Sequence, residues 1–313
     1  MNDTATDVSR KQAWLMAARP HTLPAAAAPV IVGIGFALHE KQFAPLPALA
    51  AFIGAALIQI GTNFANDYYD AVKGVDTDER TGFTRVTQSG LIAPNEVKRA
   101  MYGTFLLAIV VGVYLVYVGG LPILVIGLAS VISGIAYAGG PFPLGSHGLG
   151  DLFVFVFFGV IAVMGTFYVQ AASLVAAPFL LAIPGGTVTM TAFLASLPVA
   201  AISTNILVVN NVRDLENDRK AGKKTLAVLI GYRASRGEFI GMLALSYLVP
   251  IYFATTSAFG LAVLLPLITV PYAAMITRTM LTKTSGEALN PALEQTGKLL
   301  AVHAVCFAIG MTV

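Results

Sequence analysis

Asp67, Asp70, Asp76, Asp78 and Glu79 crowd one stretch of the chain, NFANDYYDAVKGVDTDERTGFTRVTQSG from Asn63 to Gly90, directly after a long apolar run. A carboxylate at the edge of hydrocarbon costs a few kcal/mol to place, so such groups face a wet interior and mark a working site. A second stretch, NNVRDLENDRKAGKKT from Asn210 to Thr225, closes another apolar run and carries Asp214 and Asp218. On a helix, residues four apart lie on one face with Cβ atoms about 5–6 Å apart. Asn66 with Asp70, Asn63 with Asp67, and the row Asn210, Asp214, Asp218 therefore each offer oxygens that can share a hard cation. No Cys or His stands at ligand spacing. The donor set, Asn66, Asp67, Asp70 and Asp76 from the first motif and Asn210, Asp214 and Asp218 from the second, suits Mg2+, which takes one or two carboxylates together with substrate phosphate. The chemistry expected is a diphosphate gripped by Mg2+ between the motifs, centred on Asp70, Asp214 and Asp218. Asp78, Glu79 and Glu216 read equally well as solvated helix-end charges, worth about 1 kcal/mol at most as ion pairs.

Cations stand beside both motifs: Lys73, Arg80 and Arg85 after the first, and Arg219, Lys220, Lys223 and Lys224 after the second. Such groups neutralise the diphosphate oxygens that a metal leaves uncovered as the leaving group departs. Lys73, Arg85 and Lys223 are the candidate diphosphate ligands, with Arg19, at the head of the first apolar run, as a further one. Topology alone also places Lys and Arg in such loops. A third polar loop, YAGGPFPLGSHGLGD from Tyr137 to Asp151, is dense in Gly and Pro and must be tightly turned. Asp151 at its end can serve as a helix N-cap, and His147 as a surface histidine.

The elements that position these groups are membrane helices. Of the 313 residues, 57% are hydrophobic and 11% charged, against about 25% charged in soluble domains. Apolar runs long enough for ~30 Å of hydrocarbon lie near residues 22–39, 46–69, 100–117, 121–138, 152–174, 187–212, 237–256, 258–277 and 299–313. This predicts an all-α polytopic bundle of about nine spans: a cytoplasmic segment over 1–21, then one transmembrane domain over 22–313 with cytoplasmic motif loops near 66–99, 139–151 and 210–236. With the N-terminus inside, every Lys and Arg except Lys41 falls on the cytoplasmic side, as the positive-inside rule requires. Both motifs then face the cytoplasm and Val313 lies outside. Asp70 ends span two and Asp214 follows span six, so the motifs occupy matching places in successive four-helix units. No cleaved leader is expected, and the single Cys306 reads as a small buried hydrophobe.

Taken together, Asn66-Asp67-Tyr68-Tyr69-Asp70 with Asp76, and Asp214 with Asp218, resemble the UbiA superfamily of intramembrane aromatic prenyltransferases over essentially the whole chain. ARPHTLPAA, NDYYDAVKGVDTDER, YAGGPFPLGSHGLGD and NNVRDLENDRKAGKKTLAV are most similar to the branch that prenylates 1,4-dihydroxy-2-naphthoate in menaquinone synthesis. The six-residue step from Asp70 to Asp76, and Ser146-His147 where the hydroxybenzoate branch tends to carry a basic pair, point the same way. Thr81-Gly82-Phe83-Thr84 departs from the family's usual Gly/Pro-rich stretch. The resemblance implies a bundle around a lipid-open cavity in a bacterial inner membrane, and Mg2+ on the two Asp-rich motifs. It further implies transfer from polyprenyl diphosphate to 1,4-dihydroxy-2-naphthoate with loss of CO2. Tyr137, His147 and Asp151 are then candidates to orient or deprotonate the acceptor's phenol.

Two rival readings remain at this stage. Intramembrane carboxylates and broken helices also line transporter pathways, although those favour a midplane site between inverted repeats. Within the family, the acceptor could instead be 4-hydroxybenzoate, homogentisate or haem.

Overall fold

A computed structural model describes residues 8–73, 86–137, 139, 142–175, 179–256, 258–284 and 286–313. Among them every regular element is helical. A surface helix α1 (Arg10–Ala18) precedes α2 (Leu23–His39), α3 (Pro45–Lys73) and the long α4 (Pro94–Ala136). Then come α5 (Gly150–Ser173), α6 (Met190–Arg213), the short α7 (Leu215–Lys220), α8 (Leu226–Ala254), α9 (Leu261–Thr282) and α10 (Gly286–Thr312). Eight helical stretches among the described residues are long and apolar enough to cross a bilayer. This is an integral membrane protein.

One of the eight is α4, whose 43 residues would run about 65 Å as a straight helix, twice the hydrocarbon thickness. Gly120 interrupts it at φ 68°, ψ −155°. A Cβ at Gly120 would lie 2.0 Å from the Leu180 carbonyl oxygen, which itself accepts the Leu121 N–H at 2.8 Å. The Tyr168 hydroxyl donates to the Gly119 carbonyl at 2.8 Å. Glycine is thus required twice over at the break, and the halves of α4 count as two crossings. The nine spans expected from the sequence are all accounted for.

Two span boundaries need correction. The span expected from 237 begins at Leu226, where the Thr225 hydroxyl caps the helix by accepting the Val228 N–H at 3.4 Å. It bends at Gly231 (φ 77°). The span expected from 299 begins at Gly286. An apolar run reports hydrocarbon thickness, while the helix carries on through the polar interface, so Arg233 and Arg236 in one case and Glu294 and Lys298 in the other are helical.

The bundle is organised on α6, whose Ala195, Ser196, Val199, Ala200 and Ile202 have no solvent-accessible surface. Small side chains let helices approach closely in lipid. A Cβ at Gly159 would sit 2.1 Å from the Cβ of Ala200. That contact falls in Val154–Ile161, a π-helical turn of α5, and such turns concentrate at functional sites. By contrast α4 lies outermost, with Leu106, Val113, Val125 and Ile132 each more than half exposed.

Candidate active site

The first acidic motif occupies the last turns of α3. Asp67 is buried, and its Oδ2 accepts both the Thr87 hydroxyl at 2.8 Å and the Thr87 N–H at 3.3 Å. The chain that returns after the motif is thereby pinned to the helix. Asn63 faces the N-terminal side, donating Nδ2 to the Ala18 carbonyl and the Thr22 hydroxyl, both at 2.9 Å. Gln59 adds a donation to Thr22 at 2.9 Å. These bonds hold the turn in which Arg19 adopts a left-handed conformation (φ 52°), setting Arg19 at the motif end of α3. Asn66 Oδ1 is buried with no hydrogen-bond partner among the described residues. Asp76 and Arg85 lie outside the described residues, as does the side chain of Lys73.

The second motif is a helix end followed by a short new helix rather than one continuous helix. Asp214 terminates α6, and α7 starts at Leu215. Asp218 still donates its N–H to the Asp214 carbonyl at 2.8 Å, which keeps the two carboxylates one turn apart. Arg213, a residue that the motif spacing does not single out, is buried here. It donates Nε and Nη2 to the Asp214 carboxylate at 2.9 and 2.7 Å, Nη2 to Asn210 Oδ1 at 2.8 Å, and Nη1 to Asn290 Oδ1 at 3.3 Å. Lys223 Nζ stands 3.3 Å from Asp218 Oδ1, and the Lys223 N–H bonds the Asp218 carbonyl at 2.9 Å.

The Gly/Pro loop closes the site from a third side. Its Ser146 carbonyl accepts the Lys224 N–H at 3.0 Å, and its Gly145 N–H reaches the Tyr137 carbonyl at 3.0 Å. His147 is half-buried, stacked on the exposed Phe142 at 3.8 Å between ring centroids, with its Nδ1 2.8 Å from the Pro143 carbonyl oxygen. Asp151 lies inside the first turn of α5, where Leu149 occupies the cap position without a side-chain cap. Its Oδ2 is buried and has no partner among the described residues.

Tyr137 ties the three parts together. Burial pushes its phenol above the ordinary tyrosine range, and the carboxylates of Asp151, Asp218 and Asp70 push it further. One side chain therefore senses the loop acid and both motifs. Tyr137 also lines a cavity of about 410 Å3 together with Thr62, Ser133, Phe157, Gly165 and Leu128. Val113, Leu128 and Ile132 line the same cavity while exposing more than half their surface, so it opens sideways through the α4 wall.

Among the described residues no three Asp, Glu, His or Cys side chains cluster as a metal cage. The donors still fit a Mg2+ ion that substrate phosphate completes: they are all oxygen, and the Asn66 side-chain carbonyl is buried with no donor to it among the described residues.

The sequence profile described as the UbiA prenyltransferase family matches residues 26–295. A 1,4-dihydroxy-2-naphthoate octaprenyltransferase of Escherichia coli (strain K12) is 37% identical, covering 98% of this chain and 97% of its own. The protein of that name from Mycobacterium leprae (strain TN) is 33% identical over 96% of each chain. In fold, the chain is similar to the apo structure of a UbiA homolog from Aeropyrum pernix K1, with a TM-score of 0.72, 12% identity and coverage of 92% and 98%. It is also similar to a UbiA homolog from Archaeoglobus fulgidus bound to DMAPP and Mg2+, with a TM-score of 0.62, 18% identity and coverage of 95% and 99%.

Proposed function

The chain belongs to the UbiA prenyltransferase family, and from that premise we propose that it transfers a polyprenyl group from polyprenyl diphosphate to 1,4-dihydroxy-2-naphthoate, releasing diphosphate and CO2 and forming demethylmenaquinol for menaquinone synthesis. The observation that carries this reading is the place of Tyr137, where an apolar cavity meets carboxylates of both motifs and Asp151. A donor with a long hydrocarbon tail and a diphosphate head needs that junction. The naphthoate relatives from Escherichia coli and Mycobacterium leprae support the acceptor. Charge asymmetry supports a cytoplasmic motif face, and the bacterial relatives support a bacterial inner membrane.

Asn66, Asp70, Asp214 and Asp218, with Asp67, Asp76 and Asn210 as further donors, would hold Mg2+. When bound, Mg2+ neutralises diphosphate oxygens and so favours their departure from the allylic carbon. Lys223 covers the oxygens on the second-motif side, and Arg19, Lys73 and Arg85 those on the first. Breakage of the C–O bond sends its electron pair to diphosphate and leaves an allylic cation in the cavity, where apolar walls keep water away. The ring carbon bearing the carboxylate forms the new C–C bond. Loss of CO2 returns the C–C electron pair to the ring, so no side chain has to remove a proton from carbon. Tyr137 donates a hydrogen bond to an acceptor oxygen, and Asp151 receives the hydroxyl proton of the acceptor as the C–C bond forms and returns it to the same oxygen once CO2 has left.

The test is product analysis with purified protein, a polyprenyl diphosphate and 1,4-dihydroxy-2-naphthoate, with and without Mg2+. Mg2+-dependent prenylated naphthoquinol with one CO2 per product is the expected result. Prenylation of 4-hydroxybenzoate in its place would overturn the acceptor.

A further inference from the structure

Away from this site, one face of α9 and Leu243 of α8 line a shallow, open groove of about 480 Å3 on the outer surface of the bundle. From α9 the lining includes Val270, Ala274, Thr277, Arg278 and Leu281. These α9 positions recur at helical spacing, so the lining is a continuous stripe within the membrane. None of these residues lines the cavity at Tyr137.

The groove is apolar along its length and cationic at one end. Arg278 lines it. Arg236, two turns from Leu243 on the same face of α8, donates Nη2 to the Lys283 carbonyl at 2.9 Å and so joins α8 to the end of α9. The Arg236 guanidinium lies 5.9 Å from the Tyr232 ring, while its Nε is buried with no hydrogen-bond partner among the described residues. Tyr232 in turn senses Glu216 and Arg219, which puts this end of the groove on the side of the second acidic motif. Among the described residues Arg233, Arg236, Arg278 and Lys283 make no ion pair.

We propose that this groove binds an anionic phospholipid, one acyl chain lying along the α9 stripe and the phosphate held by Arg236 and Arg278. A hydrocarbon slot capped by cations that meet no carboxylate among the described residues matches an anionic lipid in both parts, and basic clusters at a membrane surface attract such headgroups. A second copy of the chain fits poorly, because a two-fold contact here would bring like charges together. A zwitterionic lipid fills the slot but brings its own cation to the basic end.

The experiment uses the full chain in nanodiscs of phosphatidylcholine with a minor fraction of phosphatidylglycerol, followed by native mass spectrometry of the lipid retained. Phosphatidylglycerol is expected to be retained over phosphatidylcholine. Arg236→Gln with Arg278→Gln should weaken that retention about tenfold, and Arg236→Lys with Arg278→Lys should restore most of it. Ala274→Trp, which fills the slot without changing charge, should displace the lipid as well. Equal retention of both lipids, unchanged retention in the double Gln variant, or a dimer lost in Ala274→Trp would each overturn the proposal. Thermal unfolding in pure phosphatidylcholine separates lost binding from lost folding: the variants should match the parent there, and a double Gln variant already unfolded in that lipid would make Arg236 and Arg278 structural and overturn their assignment as lipid ligands.

Discussion

Arg213 donates two hydrogen bonds to the carboxylate of its own neighbour, Asp214, at 2.9 and 2.7 Å, while its side chain remains 2% exposed. A buried cation thus presets one carboxylate of the second motif before any substrate arrives. The same guanidinium holds Asn210 and Asn290, so it sets the end of α6 against α10. Arg213→Ala should destabilise the protein by about 3 kcal/mol or more, because it takes a buried cation away from the Asp214 carboxylate and from two amides. Denaturation in detergent of Arg213→Ala beside Arg213→Lys would measure this; an unchanged midpoint for Ala would remove Arg213 from the framework.

Asp70→Ala and Asp214→Ala should each abolish prenyl transfer in a protein that stays folded and membrane-inserted. Asp67 is buried and its Oδ2 holds Thr87 of the returning chain, which gives it a structural task as well. Asp70→Asn should raise the Mg2+ concentration needed for half-maximal rate more than Asp67→Asn does, whereas Thr87→Val should lower stability with little change in that requirement. Mg2+ titrations of the three variants provide the comparison.

Tyr137 supplies a pH signature. Its phenol titrates above the ordinary value of about 10 because of burial and the carboxylates of Asp151, Asp218 and Asp70. Between the unfolded and folded values the native state keeps a proton that the unfolded chain releases, so stability is full below the ordinary tyrosine value and falls as pH rises past it. Melting temperature should therefore drop more steeply with alkaline pH in the parent than in Tyr137→Phe. At neutral pH the Phe variant should lose activity through the missing hydroxyl, with no shift in the pH profile below 9.

Three cavity-lining glycines, Gly112, Gly127 and Gly165, would place an added Cβ in open space. Gly165→Leu should fold at least as well as the parent, since glycine costs about 1 kcal/mol within a helix. It should favour short donors: transfer from dimethylallyl diphosphate persists while transfer from a long polyprenyl diphosphate falls about tenfold or more, as expected for several displaced CH2 groups. Equal losses on both donors would move the tail elsewhere.

Gly120→Ala should lower expression of folded protein sharply, because its Cβ would meet the Leu180 carbonyl at 2.0 Å in a backbone conformation foreign to L residues. Gly112→Ala, with nothing within 4 Å, is the matched control.

The spans and the two acidic motifs were legible in the sequence because length, charge and four-residue spacing are local properties. Even the break at Gly120 was marked, by Gly119-Gly120 and Pro122. Arg213 was not, since a basic residue at the end of an apolar run is ordinary; only the packing of α10, which brings Asn290, turns it inward. The division of labour between Asn63 and Asn66 was equally hidden. Both fit the same helical pattern, and what separates them is the turn at Ala18 to Thr22, which claims Asn63, whereas the Asn66 side-chain carbonyl has no partner among the described residues. Helix ends were misread where polar residues continue a helix past the hydrocarbon, as at Leu226 and Gly286.

The sideways mouth in the α4 wall changes the units in which this protein must be studied. A donor that enters from between lipids is supplied by two-dimensional diffusion, so its encounter rate follows its mole fraction in the bilayer and not its molarity in the tube. Added detergent or lipid dilutes such a substrate without altering the buffer. Saturation curves measured at different micelle or vesicle loads should collapse onto one line only when plotted per lipid, and a quinol leaving by the same mouth is delivered into the phase where it will be used.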